Sequence, residues 1–246
     1  MLSVIMQNDR MKTKLFLVSG WAFGEAALAG VAEPLASEFD VTRLAAEDAL
    51  PSGKLAEMLP SDQPCVLVGW SLGGMLALEA AEHLAEGSML VLIGSTAKFT
   101  GGDETPHGVP VAEVRSMSIL FRRQPQETLA NFLRQSALPH EPLADVNQTG
   151  TDQDDCPKLL EGLKYLRDAD LRDAADRVGV ATLILHGADD RVISPAASAD
   201  LSRRISGSRL KTIDDVGHDL PVRNPQWIAS NLLEFWKNDV ARPDAG

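Results

Sequence analysis

The sequence predicts an α/β fold: a mostly parallel central sheet flanked by helices, with a helical insertion. Three observations carry this. Short apolar runs alternate with segments of helical spacing, the pattern of a parallel sheet covered on both faces. One of those runs, 65–68, leads through Gly69-Trp70-Ser71-Leu72-Gly73-Gly74 into Met75-Leu76-Ala77-Leu78, a strand, tight turn and helix in succession. Between residues 100 and 178 the alternation stops and only helical patterns remain.

In chain order, residues 14–18 read as a buried strand ending at Ser19-Gly20. Residues 26–39 read as a helix interrupted or begun near Pro34, and 41–45 as a second strand. A helical turn or two follows at 54–59, then the strand 65–68, its helix at 73–85 and a strand at 89–93. Within the insertion, 114–121 and 126–138 read as helices split by Pro125, 139–157 as a polar loop, 158–167 as a third helix and 171–177 as a short one. Leu159, Leu163 and Leu166 supply the helical spacing of the third. Strands at 181–185 and 210–213 and a closing helix at 226–236 complete the chain. The expected organisation is a leader at 1–11, a core formed by 12–99 with 179–240, and a lid at 100–178. A lid between two strands sits over their carboxyl ends, where open α/β sheets bind ligands.

The 246 residues suffice for one large α/β domain whose core needs no covalent staples. Net charge is −12, which argues against non-specific binding to nucleic acid or to an anionic membrane surface. No apolar run approaches the roughly 18 residues of a membrane span. Cys65 opens a buried strand and Cys156 lies in a polar loop, so a disulfide is possible but unmotivated, and the reading is a reducing, cytoplasmic compartment. Lys12-Thr13-Lys14 before Leu15-Phe16-Leu17-Val18 has the charge order of a signal peptide, but the apolar run is short. Residues 1–11 read as a flexible leader, with Met11 as an alternative start.

The chemistry is concentrated in Gly69-Trp70-Ser71-Leu72-Gly73. A G-x-S-x-G sequence between strand and helix is the context of a nucleophile elbow, which exposes a serine hydroxyl at a helix N-terminus. Acyl transfer also requires a base, an acid to orient it and two oxyanion donors. The acid is expected just past the strand 181–185, where Asp189 and Asp190 compete; Asp190, three residues after Gly187, is chosen, and Asp189 is read as a solvated neighbour. The base is His218, in the loop after the strand 210–213. Of the other histidines, His186 is expected beneath the acid loop and His140 in a lid loop within reach of substrate. The oxyanion donors are the backbone N–H groups of Leu72 and Trp21, the latter in the turn after the first strand. Trp21, Trp70 and the lid's Phe121 are the candidate walls of an acyl pocket, core packing being the alternative for the tryptophans.

With these residues placed, the chain resembles the α/β-hydrolase superfamily over nearly its whole length. Within it, the chain is most similar to the biotin-pathway carboxylesterases that demethylate pimeloyl-carrier-protein methyl ester. The resemblance rests on Gly20-Trp21, the Gly69–Gly74 stretch, Gly162-Leu163-Lys164-Tyr165-Leu166-Arg167 with Asp170-Leu171-Arg172, the loop at Asp190, and His218. It implies an α/β-hydrolase fold and serine ester hydrolysis with no metal or organic cofactor. Two departures stand out: Ser19-Gly20 where relatives carry His-Gly, and only about a dozen residues before the first core strand where relatives have a front hairpin.

An acyl carrier protein is acidic, and so is this chain, so long-range attraction does not bring them together. Screening confines exposed charges to about 8–10 Å, so a local patch can outweigh net charge. Residues 114–135 hold Arg115, Arg122, Arg123 and Arg134 against Glu127 alone, while 139–157 hold Glu141, Asp145, Asp152, Asp154 and Asp155 without a cation. Arg122, Arg123 and Arg134 are therefore candidate contacts for a carrier or its phosphopantetheine, with an ordinary solvated helix face as the alternative. Competing functions are a general short-chain esterase or thioesterase, an acyltransferase, a carbon–carbon hydrolase or haloperoxidase on the same scaffold, and a ligand receptor on a hydrolase frame. Ser71 at the elbow disfavours an aspartate-based dehalogenase.

Overall fold

The structure is a computed structural model that describes residues 12–102, 105–143 and 155–240. The leader 1–11 with Met11, and residues 144–154 of the polar loop, lie outside the described residues. The strands are β1 (Thr13–Val18), β2 (Phe39–Leu44), β3 (Cys65–Trp70), β4 (Met89–Ile93), β5 (Ala181–Gly187) and β6 (Arg209–Ile213). They form one sheet in the order β2-β1-β3-β4-β5-β6, and every pairing is parallel. The central runs are continuously apolar because both of their faces are covered: Leu15, Leu17, Val66, Leu67, Leu90, Val91, Leu92, Leu183 and Ile184 are all fully buried.

The chain leaves β1 toward β2 and then returns to place β3 on the other side of β1. That reversal brings the turn after β1 and the turn after β3 side by side, at the switch point where open sheets bind ligands. Right-handed crossovers then put the connecting helices on opposite faces. Helix α1 (Ala29–Leu35), with the 3-10 turn Glu25–Leu28 before it, packs with α10 (Pro225–Phe235) on one face, joined by the short α9 (Leu220–Arg223). Helix α2 (Lys54–Met58) is a short segment packed against α3 (Leu72–Ala80). On the opposite face from α1, α3 is followed by α7 (Arg172–Asp176) and α8 (Pro195–Arg204). Between β4 and β5 lie α4 (Val111–Arg123), α5 (Pro125–Ala137) and α6 (Cys156–Asp168).

Several expected boundaries move. The helix expected to run to residue 39 ends at Leu35, and β2 begins at Phe39, two residues ahead of the expected strand. Helix α3 stops at Ala80 and finishes in a 3-10 turn to His83. Cys156 opens α6 rather than lying in a loop, and neither cysteine is in a disulfide. The helices α8 and α9, one opened by Ser194 accepting from the Ala196 amide, have no counterpart in the sequence reading. Neither offers an apolar stripe: α8 carries Leu201 as its one large apolar side chain, and α9 is four residues long.

Strand β3 and helix α3 approach so closely that neither glycine at their junction tolerates a side chain. A Cβ on Gly69 would lie 2.3 Å from the Gly73 carbonyl oxygen, and one on Gly73 would lie 2.3 Å from that of Ser19. Backbone cannot yield cheaply there, so Gly69→Ala is expected to cost more than about 3 kcal/mol. Gly179→Ala, where a Cβ meets open space, is the matched control and should melt with the wild type in a thermal scan.

Candidate active site

Ser71 occupies the turn between β3 and α3 with φ 57° and ψ −118°, a left-handed conformation that a residue with a Cβ adopts only when its surroundings enforce it. The enforcement is local. The Ser71 amide donates to Ile93 O at 2.9 Å, and the Ser95 hydroxyl donates to Ser71 O at 2.9 Å. The amides of Gly74 and Met75 also donate to Ser71 O, starting α3. A Cβ on Gly20, in the turn after β1, would come within 3.1 Å of Ser71 Cβ, so the two turns are in contact.

The loops after β5 and β6 bring the remaining partners. They are tied together by Ala188 N–H to Ile213 O at 2.8 Å and Asp189 N–H to Val216 O at 3.0 Å. From them, His218 Nε2 lies 2.8 Å from Ser71 Oγ and His218 Nδ1 lies 2.7 Å from Asp190 Oδ2. All three side chains are nearly or fully buried. With Nδ1–H donating to the carboxylate, Nε2 is left as the acceptor for the serine proton, so the arrangement can move that proton to the imidazole.

A buried carboxylate is costly unless its lone pairs are met. Asp190 Oδ1 accepts the amides of Val192 at 2.8 Å and Ile193 at 2.9 Å. Its Oδ2 is shared between His218 and His186, whose Nε2 lies 3.2 Å away and also reaches Ile193 O at 2.9 Å. Burial pushes the Asp190 carboxyl up, but the His218 ring and the hydrogen bonds from both histidines outweigh it and hold the group well below the usual carboxylate range. His186 is held in turn by Ser198 of α8 at Nδ1. The sequence places His186 beneath the acid loop, as found, but offers no sign of its bond to Asp190 or of Ser198. The competing acid is turned away: Asp189 Oδ2 accepts the Asp215 amide at 3.1 Å, so it braces the neighbouring loop and is more than a solvated neighbour.

Leu72 is the first residue of α3, so its amide is one of those without an intrahelical acceptor. Trp21 follows Gly20 in the turn that touches Ser71; its indole is buried and donates to Leu159 O of α6 at 2.8 Å. The Trp21 ring meets Phe132 of α5 and Phe121 of α4 edge-on, at 5.0 and 5.8 Å between centroids. Trp70 is fully buried, its ring tilted at 40° against Phe23 with 4.2 Å between centroids, and its indole N–H donates to His218 O at 3.0 Å. Its observed work is thus to hold the histidine loop. Arg122, Arg123 and Arg134 are exposed on α4 and α5, away from this cluster. Arg134 is engaged with Asn131, and Arg122 lines a groove of about 510 Å³ with Lys164 and Arg167. His140 contacts Asp215 O at 2.9 Å, directed at the loop after β6 rather than at Ser71.

Because the folded Asp190 binds its proton less tightly than an unfolded aspartate, its contribution to stability is present above the ordinary value of 3.8 and is lost as pH falls below it. Asp190→Asn should therefore melt far below the wild type near neutral pH, by about 3–5 kcal/mol, and the gap should narrow as pH falls from about 5 to about 3. Melting curves across that range measure it.

Residues 17–231 match the alpha/beta hydrolase family. Among curated proteins, the chain is 30% identical over 240 residues to the pimeloyl-[acyl-carrier protein] methyl ester esterase of Stenotrophomonas maltophilia K279a, covering 90% of this chain and 92% of the relative. It is 31% identical to the protein of the same name from Neisseria meningitidis serogroup A, covering 92% of this chain and 72% of the relative. Among solved structures, an esterase from Exiguobacterium antarcticum superposes with a TM-score of 0.74 at 20% identity, covering 91% of this chain and 92% of that one. The fold alone is supported by that likeness; the sequence match and the esterase relatives establish more, and the chain belongs to the alpha/beta hydrolase family as a carboxylic ester hydrolase.

Proposed function

We propose that this enzyme hydrolyses an acyl methyl ester carried on an acyl carrier protein, pimeloyl-carrier methyl ester being the substrate that its relatives' names suggest. The observation that carries the catalytic half is the Ser71–His218–Asp190 chain of contacts, at 2.8 and 2.7 Å. In this reading His218 Nε2 takes the Ser71 proton as Oγ attacks the ester carbonyl. Asp190 fixes the tautomer and stabilises the imidazolium. The amides of Trp21 and Leu72 receive the oxyanion, and the alcohol leaves with the proton from His218. Water then attacks the acyl-enzyme by the same route, freeing the acid and restoring Ser71. The chemistry calls for no cofactor.

The carrier half rests on the helical layer at 100–178, read as a lid. Arg122, Lys164 and Arg167 share one groove between α4 and α6 with Glu161, Arg167 being paired with Asp168, and Ile119 and Leu120 stand half-exposed on α4 next to Arg122 and Arg123 in sequence. A mixed basic and apolar face suits an acidic carrier helix and its phosphopantetheine arm, and a cytoplasmic setting is where such carriers work. A general short-chain esterase is the second reading, favoured by the buried aromatic cluster around Trp21, which packs the space near Ser71 tightly.

Ser71→Ala should abolish ester hydrolysis while leaving the melting temperature and circular dichroism unchanged; residual turnover near the wild-type rate removes Ser71 from the nucleophile's role. Reversing charge at Arg122 and Arg123 together should weaken turnover of the carrier-linked ester and spare a small nitrophenyl ester. Equal effects on both substrates would return the assignment to a general esterase.

A further inference from the structure

A buried carboxyl that no step of the reaction uses lies against the turn after β1. Glu47 belongs to the 3-10 turn Ala46–Ala49, in the strap between β2 and α2, and is 4% exposed. Its Oε1 accepts the Ala22 amide at 2.9 Å. Ala22 directly follows Trp21 and has φ 62°, a left-handed backbone with no glycine to excuse it. The same strap is tied to the turn by Ser19, whose Oγ accepts the Ala46 amide at 3.3 Å and donates to Phe23 O. The Phe23 amide closes the turn on Gly20 O at 3.2 Å. The turn that abuts Ser71 is therefore clamped from below by two polar side chains.

The clamp is expensive. Glu47 Oε2 finds no hydrogen-bond partner among the described residues. Burial pushes the carboxyl up to about 7, with the Ala22 and Glu47 amides opposing and the charges of Asp48 and Asp155 adding to the rise. Lys158 of α6, paired with Asp48 at 2.8 Å, is the cation on that side. An apolar side chain of similar size would remove the desolvation cost but leave the buried Ala22 amide without its acceptor, a loss of about 1–3 kcal/mol. What the buried carboxyl gives in return is a fixed Ala22 amide, and with it the turn that carries Trp21.

We propose that Glu47 is a positioning residue for ester hydrolysis: its oxygen, by accepting the Ala22 amide, holds the left-handed turn that presents the Trp21 N–H to the acyl oxygen above Ser71. The assignment rests on the reading of Trp21 as an oxyanion donor. It predicts that the clamp acts on kcat rather than on KM, since an oxyanion forms only after attack.

The test compares Glu47→Leu, Glu47→Ala and Glu47→Gln in the full chain. The readouts are kcat and KM on a nitrophenyl ester, the rate of fluorophosphonate labelling at Ser71, and melting temperature. Glu47→Leu should lower kcat and labelling rate about tenfold or more, with KM nearly constant and a melting temperature lowered only modestly by the unpaired Ala22 amide. Glu47→Gln keeps an oxygen acceptor and should recover most of that loss. Glu47→Ala carries the same kinetic expectation as Leu, with a lower melting temperature from the cavity it leaves, should the bulkier chain fail to fold. Adding Ala22→Gly, which relieves the left-handed strain, should restore part of the rate to Glu47→Ala. Wild-type kcat in a folded Glu47→Leu or Glu47→Ala, or a loss in Gln as deep as in Leu, overturns the assignment. If Ser71 is not labelled in the wild type and Ser71→Ala stays active, the reading of the whole site fails and takes this one with it. Normal Ser71 labelling with unaffected Glu47 variants sinks the Glu47 assignment alone.

Discussion

The site depends on one strained residue. A non-glycine backbone at φ 57° costs roughly 1–3 kcal/mol, and the fold must supply it. It does so through bonds that all converge on the Ser71 peptide: Ile93 and Ser95 from β4 and its following turn, Gly74 and Met75 from the first turn of α3. Gly69 lets α3 close onto β3, and Gly73 lets α3 close onto the end of β1 at Val18 and Ser19. The strain projects the hydroxyl away from the sheet and toward the two loops that carry its partners. Without it, the side chain would point where an ordinary helix N-cap points, back onto its own helix.

Electrostatics supplies the second constraint. Asp190 is fully ionised in a dry place only because four donors meet it: two amides of its own loop and two imidazoles. The loop amides fix the carboxylate, the carboxylate fixes His218, and Trp70 fixes the backbone of His218 through its indole. Gly94 lies beside Asp190 and His218 with φ 49°, a left-handed turn that glycine adopts without strain. Orientation is thus settled before any substrate arrives, which is the condition for electrostatic preorganisation.

What could be read in the sequence follows from how local each signal is. The strand 89–93 is found at its expected bounds because an unbroken apolar run admits few alternatives. The contacts of Ser71, Asp190 and His218 were within reach because each residue follows a strand, and parallel strands deliver their carboxyl ends to one edge. Helices α8 and α9 leave no such signal, because one has a single large apolar side chain and the other is a single turn. Glu47, Ser198 and the His186–Asp190 contact were out of reach for a different reason. Each is a bond between segments far apart in the chain, and a lone Glu in a polar strap looks the same whether it is solvated or buried. Ser19 shows both sides: as a departure from His-Gly it was visible, but its role in gripping Ala46 and Phe23 needed coordinates.

The helical layer over the sheet is part of this machinery rather than a cover laid on it. Helix α5 gives Ser136 O to the Asp219 amide at 3.1 Å, next to His218, and its Gln135 side chain donates to Arg191 O at 3.0 Å, next to Asp190. Helix α6 accepts the Trp21 indole at Leu159 O, and at Gly162 a Cβ would strike the Trp21 ring at 2.8 Å and the Leu72 side chain at 3.2 Å. The two residues proposed to bind the oxyanion therefore share one point of contact with the layer above, and the loops that carry His218 and Asp190 share another. Any movement of α5 or α6 that admits a substrate must act on those contacts, because packed interiors shift between discrete arrangements rather than deforming smoothly. Gly162 matters here for its missing side chain: it lets α6 settle onto Trp21 and Leu72 at once, so the position of the layer and the geometry of the turns beneath it are set together.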